Sequence, residues 1–283
     1  MEAPAQAGGI PGASAEGSGA RWWPESFVVA PLLAAPHEVR LRGGVVSVKR
    51  DREDYPGRST EALVDIGIRV PVLLFQATAT EPALEVGFEV GTFSRFERDF
   101  INIDFRVGLP VGFHAGAWDL RATPLHESSH MGDEYLERFG PPLVTVDREA
   151  IELVAGYRPT PVTRAYIGAD WNFGRGRATV GSGEPDDPQR EVHTVEAWRL
   201  RLGAELDSAR DPGRRWGPYA AVHLETTDQT ERLSTNVVAG VWIPLRALRL
   251  RVGLEVHDGP SPMGQFRTVE ETFWGLSAGL EIW

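Results

Sequence analysis

The feature of this sequence that most constrains its fold is an alternation of apolar and polar residues with a period of two. It begins near residue 38 and continues to the end of the chain. Because side chains alternate across a β-strand, each segment predicts a strand with one apolar and one polar face. Clear segments lie at 62–70, 84–90, 101–109, 165–173, 198–206, 237–245, 248–256 and 274–282. Weaker segments lie at about 38–50, 113–130, 143–157 and 216–226, which gives about twelve strands.

The connections between these segments alternate in length. Short ones, such as 110–112 and 158–161, are interleaved with mostly longer, charged and Gly/Pro-rich ones, such as 51–60, 174–190 and 258–270. Short turns at one rim and long loops at the other are typical of outer-membrane barrels. The sequence therefore predicts an all-β, transmembrane, antiparallel up-and-down β-barrel in the bacterial outer membrane. A soluble two-sheet β protein with an apolar inner face is the alternative.

Composition narrows the classes of function. The formal net charge is −11, which disfavours nucleic acid as a partner because nucleic acids favour basic surfaces. No apolar run approaches the roughly 18 residues that a spanning helix needs. The polar faces of the strands carry both signs of charge, as Glu89 and Arg106 illustrate. We therefore expect ion pairs to fill part of the barrel, rather than a wide pore.

Residues 1–36 differ from the rest of the chain. They form an Ala/Gly-rich leader followed by a Pro-bounded apolar stretch, residues 26–36. The sequence predicts two parts: a flexible leader with a plug segment at 1–36, and an outer-membrane barrel at 37–283.

A cluster of polar residues lies near the end of the fifth predicted strand. It occupies positions where the alternation would otherwise place apolar side chains. The phase of Trp118, Leu120 and Ala122 places His126 and Ser128 on the lipid-facing side, unless a bulge intervenes. On a strand their Cα atoms are about 6.6 Å apart, close enough for an imidazole to take a proton from a hydroxyl.

The third member of such a site orients the imidazole. Asp147 and Glu149 have the right phase on the next strand, and Asp147 is slightly preferred. The alternative is that His126 and Ser128 are ordinary polar residues in the headgroup zone.

The His-x-Ser pair resembles the active sites of outer-membrane phospholipase A, a twelve-stranded barrel, and of lipid A deacylase. The resemblance implies an exterior-facing acyl-ester hydrolase, and only His126 and Ser128 match residue by residue. In the phospholipase an Asn and a Gly follow the serine, whereas Ser129 and His130 follow it here. More of the chain resembles a bacterial family of envelope barrels of unknown function that carries a similar His-x-Ser-Ser-His-x-Gly-Asp-Glu-Tyr run.

Metal ligands are also candidates near this motif. His126 and His130 would be about 13 Å apart on a strand, too far to share one zinc ion. Asp133 and Glu134 carry oxygen ligands that suit calcium, and they could equally be solvated loop residues.

The leading hypothesis is a lipid hydrolase whose partners are membrane lipids or lipopolysaccharide, with the chain also a candidate for homodimerisation. The alternative is a non-catalytic barrel that acts as a narrow channel or an envelope anchor.

Overall fold

The structure is a computed structural model. It describes residues 19–50, 58–76, 78, 81–139, 144–173, 177–180, 191–211, 213–230, 232–246 and 248–282. Within that part of the chain, no helix is long and apolar enough to cross a bilayer.

The chain forms a closed antiparallel barrel of twelve strands, as the alternation predicts. The barrel strands are β2 (Leu41–Arg50), β3 (Arg58–Gln76), β4 (Ala83–Phe96), β5 (Phe100–Gly108) continued by β6 (Val111–Ala115), β7 (Trp118–Met131), β8 (Val144–Thr160), β9 (Thr163–Asn172), β12 (Trp198–Asp207), β13 (Gly217–Thr227), β14 (Ser234–Leu245), β15 (Leu248–Pro260) and β16 (Glu270–Ile282). Each strand pairs with its neighbour, and β16 pairs with β2 to close the barrel.

Four short elements extend this wall. Strand β1 (Gly19–Trp22) pairs with the end of β3, and β10 (Arg177–Val180) with β11 (Glu191–Thr194) forms a hairpin that continues the ladder beyond β8. Helix α1 (Asp133–Phe139) follows β7. We call the end of the barrel reached by the C-terminal ends of β7, β9 and β15 the outer rim.

The fourth and fifth strands differ from the sequence prediction. The predicted turn at 110–112 is wrong: β4 pairs with both β5 and β6, so the two are one barrel strand interrupted at Pro110. The turn lies instead between Ala115 and Trp118, and the fifth strand begins at Trp118 rather than near Phe113. A proline lacks the N–H that a ladder requires, and here its carbonyl still accepts from Gly87 N at 2.9 Å.

The two faces of the wall divide by polarity. Outward side chains are mostly apolar, and Ile167, Leu202 and Leu276 are each more than half exposed. Inward side chains are mostly charged and buried. Trp242 belongs to the inward set, and its Nε1 donates to Ser208 Oγ at 2.9 Å. An apolar exterior around a polar interior is the arrangement of a barrel immersed in lipid.

A network of ion pairs fills the barrel interior, and Arg106 lies at its centre. Its guanidinium contacts Glu89 at 2.9 Å, Glu127 at 3.1 Å and Glu152 at 3.2 Å. Glu152 also pairs with Arg121 and with Arg201. Four strands are therefore joined through one guanidinium and its carboxylates.

Residues 27–40 lie inside the barrel, and we call them the luminal segment. Glu85 on β4 accepts from the backbone N–H groups of Val28 and Val29, at 2.6 and 3.0 Å. On other strands, Arg164 donates to Pro31 O at 2.6 Å, and Asn236 donates to Ala34 O at 2.7 Å. These contacts come from different sides of the wall, so the segment crosses the lumen. The proposed division of the chain at residue 36 stays a prediction.

Glu38 ties the luminal segment to the ion-pair network. Burial alone would raise the pKa of its carboxyl, but Arg121 at 2.9 Å and the nearby Arg69 lower the pKa to about 2. Because the folded pKa lies below the usual 4.5, this stabilisation is present above pH 4.5 and is lost as the pH falls toward 2.

We predict that Arg106→Met lowers the free energy of unfolding by about 3–5 kcal/mol, because three buried carboxylates lose their common partner. The exposed pair of Arg138 with Glu97 and Asp99 provides the control, and Arg138→Met should cost less than about 1 kcal/mol. Urea unfolding of both variants in lipid vesicles measures the difference. Equal effects would show that the interior network contributes little.

We predict that the full chain gives no measurable single-channel conductance at neutral pH, because the luminal segment and the ion pairs fill the barrel. Replacing residues 27–36 with a glycine–serine stretch of equal length should open a conducting path. Acidification toward pH 2 should act in the same direction, because it protonates Glu38. Large, regular channels in the unmodified protein at pH 7 would contradict this.

Candidate functional site

The end of β7 near the outer rim presents two different sets of side chains. His126, Ser128 and His130 alternate with Glu127 and Ser129, and the phase of the strand continues through Pro124 without a shift. His126 is exposed on the outer face, with 47% of its side chain accessible, whereas Ser129 is buried. The structure therefore has His126 and Ser128 on the face that the sequence predicts.

The inward residues hold this part of β7 in place. Glu127 accepts from Arg106 at 3.1 Å and from Arg148 Nε at 2.6 Å. Ser129 Oγ donates to Asp104 on β5, and the other carboxylate oxygen of Asp104 accepts from Gly264 N at 2.9 Å. Since Glu127 and Ser129 flank Ser128, these contacts fix the backbone that carries it.

Strand β8 supplies the acidic partner. In the antiparallel register His126 lies opposite Glu149, and Ser128 lies opposite Asp147. His126 Nδ1 is 3.3 Å from Glu149 Oε1, and both side chains are about half exposed. Of the two predicted carboxylates, Glu149 therefore contacts the imidazole, and Asp147 lies beside the serine.

Strand β5 provides an apolar border on the other side. Phe105 lies opposite Ser128, and Val107 lies opposite His126, and both are about 40% exposed. The ring of His130 makes an edge contact with Phe105 at 5.9 Å between centroids. An acyl chain at the barrel surface would therefore reach Ser128 along an apolar wall.

The rest of the motif has a structural role that the sequence analysis missed. A Cβ on Gly132 would lie 2.0 Å from Phe100 O, so only glycine fits there, and Gly132 N donates to Ile101 O at 2.8 Å. Tyr135 is buried in an apolar cluster with Phe266 from the β15–β16 connection. The inward phase of Ser129 and Met131 was the available signal for this role.

Asp133 and Glu134, the predicted calcium ligands, lie in the first turn of α1, where acidic residues favour the helix dipole. Both are exposed. Among the described residues, no group of three His, Cys, Asp or Glu side chains is placed to hold a metal ion. Two adjacent carboxylates fall short of the six to eight oxygens that calcium takes, so these residues alone do not fit a calcium site.

Comparison with known families identifies the chain. A family model described as "protein of unknown function (DUF1207)" matches residues 6–281. The chain belongs to this family. No curated protein matches the sequence of this DUF1207 chain.

Solved structures similar to this DUF1207 chain are outer-membrane barrels. Outer membrane phospholipase A from Escherichia coli is 12% identical, with a TM-score of 0.51 over 89% of this chain and 93% of that chain. The β domain of the Bordetella autotransporter BrkA is 13% identical, with a TM-score of 0.45 over 85% of this chain and 98% of that one. At such low identity these similarities concern the fold alone.

The outward position of Ser128 can be tested by labelling, because the chain has no cysteine. We predict that a bimane fluorophore on Ser128→Cys is quenched by brominated lipids, as it should be on the outward control Leu153→Cys. The same fluorophore on Ser129→Cys should not be quenched, because that side chain faces the interior. Quenching at position 129 but not at 128 would show that the strand has the opposite phase.

Proposed function

We propose that this protein resides in the bacterial outer membrane and hydrolyses acyl esters of membrane lipids at its exterior surface. The observation that carries the proposal is the contact of His126 Nδ1 with Glu149 Oε1 at 3.3 Å. Ser128 follows His126 by two residues on the same strand and faces outward beside it. The barrel fold shared with outer membrane phospholipase A supports a lipid-facing location for such a site.

The proposed mechanism uses three side chains. With Nδ1 occupied by Glu149, the Nε2 atom of His126 is available to accept the proton of Ser128. Ser128 Oγ then attacks the ester carbonyl carbon and the bond to the alcohol breaks, while His126 passes the proton to the leaving alkoxide. Water, activated by the same imidazole, releases the fatty acid from the acyl-serine. The exposed surface of Phe105 and Val107 would hold the acyl chain.

No step of this mechanism passes through calcium. Asp133 and Glu134 supply too few oxygens by themselves, and hydrolysis measured with and without calcium tests the prediction that they are calcium ligands. Lipopolysaccharide as substrate and the homodimer likewise stay predictions.

A non-catalytic envelope barrel is the second candidate. It is favoured by the structural roles of Ser129, Gly132 and Tyr135, which account for three of the eight specified residues of the motif without any chemistry. The channel form of this candidate is disfavoured, because the luminal segment and the ion pairs occupy the interior.

We predict that detergent-refolded protein releases fatty acid from mixed phospholipid and lipid A, and that Ser128→Ala abolishes the release. His126→Ala should lower the rate by about 10²–10⁴-fold, the usual contribution of a general base. Glu149→Gln should lower it more than Asp147→Asn, because only Glu149 contacts the imidazole.

The matched control is Ser47→Ala, which alters an outward serine on β2, away from the site. It should retain full activity. Release that persists in Ser128→Ala, or no release by the folded wild-type protein under any condition, would refute the proposal.

A further inference from the structure

A second feature with the geometry of a binding site lies on the other side of the same wall. A cavity opens at the outer rim, between the β13–β14 and β15–β16 connections, and its floor includes His37 of the luminal segment. The space between its walls is about 770 Å³, counting the open solvent at its mouth. Ser129 and Asp104 belong to its inner wall.

The charges that line this cavity are balanced. Four arginines and four carboxylates contribute to the wall. Seven of them lie near an opposite charge within this set, and the eighth, Asp104, lies 3.2 Å from His37. Glu196 is the shared partner: it lies 2.7 Å from Arg199, 3.5 Å from Arg267 and 3.7 Å from Arg148. Arg199 also lies 3.3 Å from Glu225. A charged ligand would have to break these pairs, and broken buried pairs are costly.

Two guanidinium nitrogens of this wall have unmet hydrogen-bonding capacity. Arg199 Nε and Arg267 Nε are buried and make no hydrogen bond within the described chain, although each lies near a carboxylate. Ser234, Ser261 and Thr268, which carry hydroxyl groups, also line the cavity. The wall therefore offers donors and acceptors side by side without a net charge.

We propose that this cavity binds a neutral, hydroxyl-rich ligand of the saccharide class. Each sugar hydroxyl both donates and accepts, so it can bridge a guanidinium and a carboxylate without separating them. The ring of His37, stacked on Phe93 at 4.7 Å between centroids, gives the floor a flat surface for a sugar ring. Ser128 and Phe105 also border the cavity, but the strand phase turns their side chains to the outer face. The proposal therefore does not depend on the proposed hydrolase.

The test is isothermal titration calorimetry of the full chain, refolded in a detergent without a sugar headgroup. The probes are glucose, maltose and sucrose as free sugars, lipopolysaccharide as a lipid-linked source, and inorganic phosphate and calcium chloride as charged alternatives. Thr268→Trp places a large ring at the mouth, since Thr268 is exposed on its loop. Glu137→Trp, on the exposed face of α1, is the matched control.

We expect at least one free or lipid-linked sugar to bind, with about tenfold or greater loss of affinity in Thr268→Trp and no loss in Glu137→Trp. Glu196→Gln should weaken sugar binding and create affinity for phosphate, because three arginines then share fewer negative charges. Binding of a free sugar would identify a soluble ligand. Binding of lipopolysaccharide without binding of any free sugar would identify a membrane glycan. Tighter binding of phosphate or calcium by the unmodified protein, or no binding of any probe, would overturn the proposal.

Discussion

The structure depends on buried ion pairs between arginines and carboxylates inside the barrel. The guanidinium of Arg106 contacts carboxylates on β4, β7 and β8, and the luminal segment joins the same network through Glu38. Desolvating these charges is costly, so the network is stable only while every partner is in place. This constraint positions the strands relative to one another and leaves little room for a pore.

The same constraint positions the candidate catalytic pair. Glu127 lies between His126 and Ser128 in sequence and points the other way, into contact with Arg106 and Arg148. Its ion pairs hold this face of β7 toward the interior. Because side chains alternate along a strand, His126 and Ser128 then face outward. One strand thus contributes to two sites: an outward one beside lipid, and an inward cavity at the outer rim. The chemistry of each follows from the side of the wall on which it lies.

Much of this was predictable from the alternation of residue types. The phase of Trp118, Leu120 and Ala122 predicted the outward face of His126, because no bulge intervenes at Pro124. The turn at 110–112 was predicted wrongly, because the sequence Pro110-Val111-Gly112 resembles a turn even when neighbouring strands pair across it. The choice between Asp147 and Glu149 depends on the register of β7 against β8, and periodicity gives the face of a residue but not its partner. His37, and Glu38 at the edge of the first predicted strand, make their contacts through the path of the luminal segment. Periodicity does not give that path, so only the structure reveals them.

The central claim is that Ser128 is an activated nucleophile on the outer face. Covalent labelling with diisopropyl fluorophosphate, followed by peptide mass spectrometry, tests it without assuming a substrate. The account predicts one modified residue, Ser128, and loss of the label in His126→Ala. A folded barrel that remains unlabelled, or one labelled equally well without His126, would contradict it.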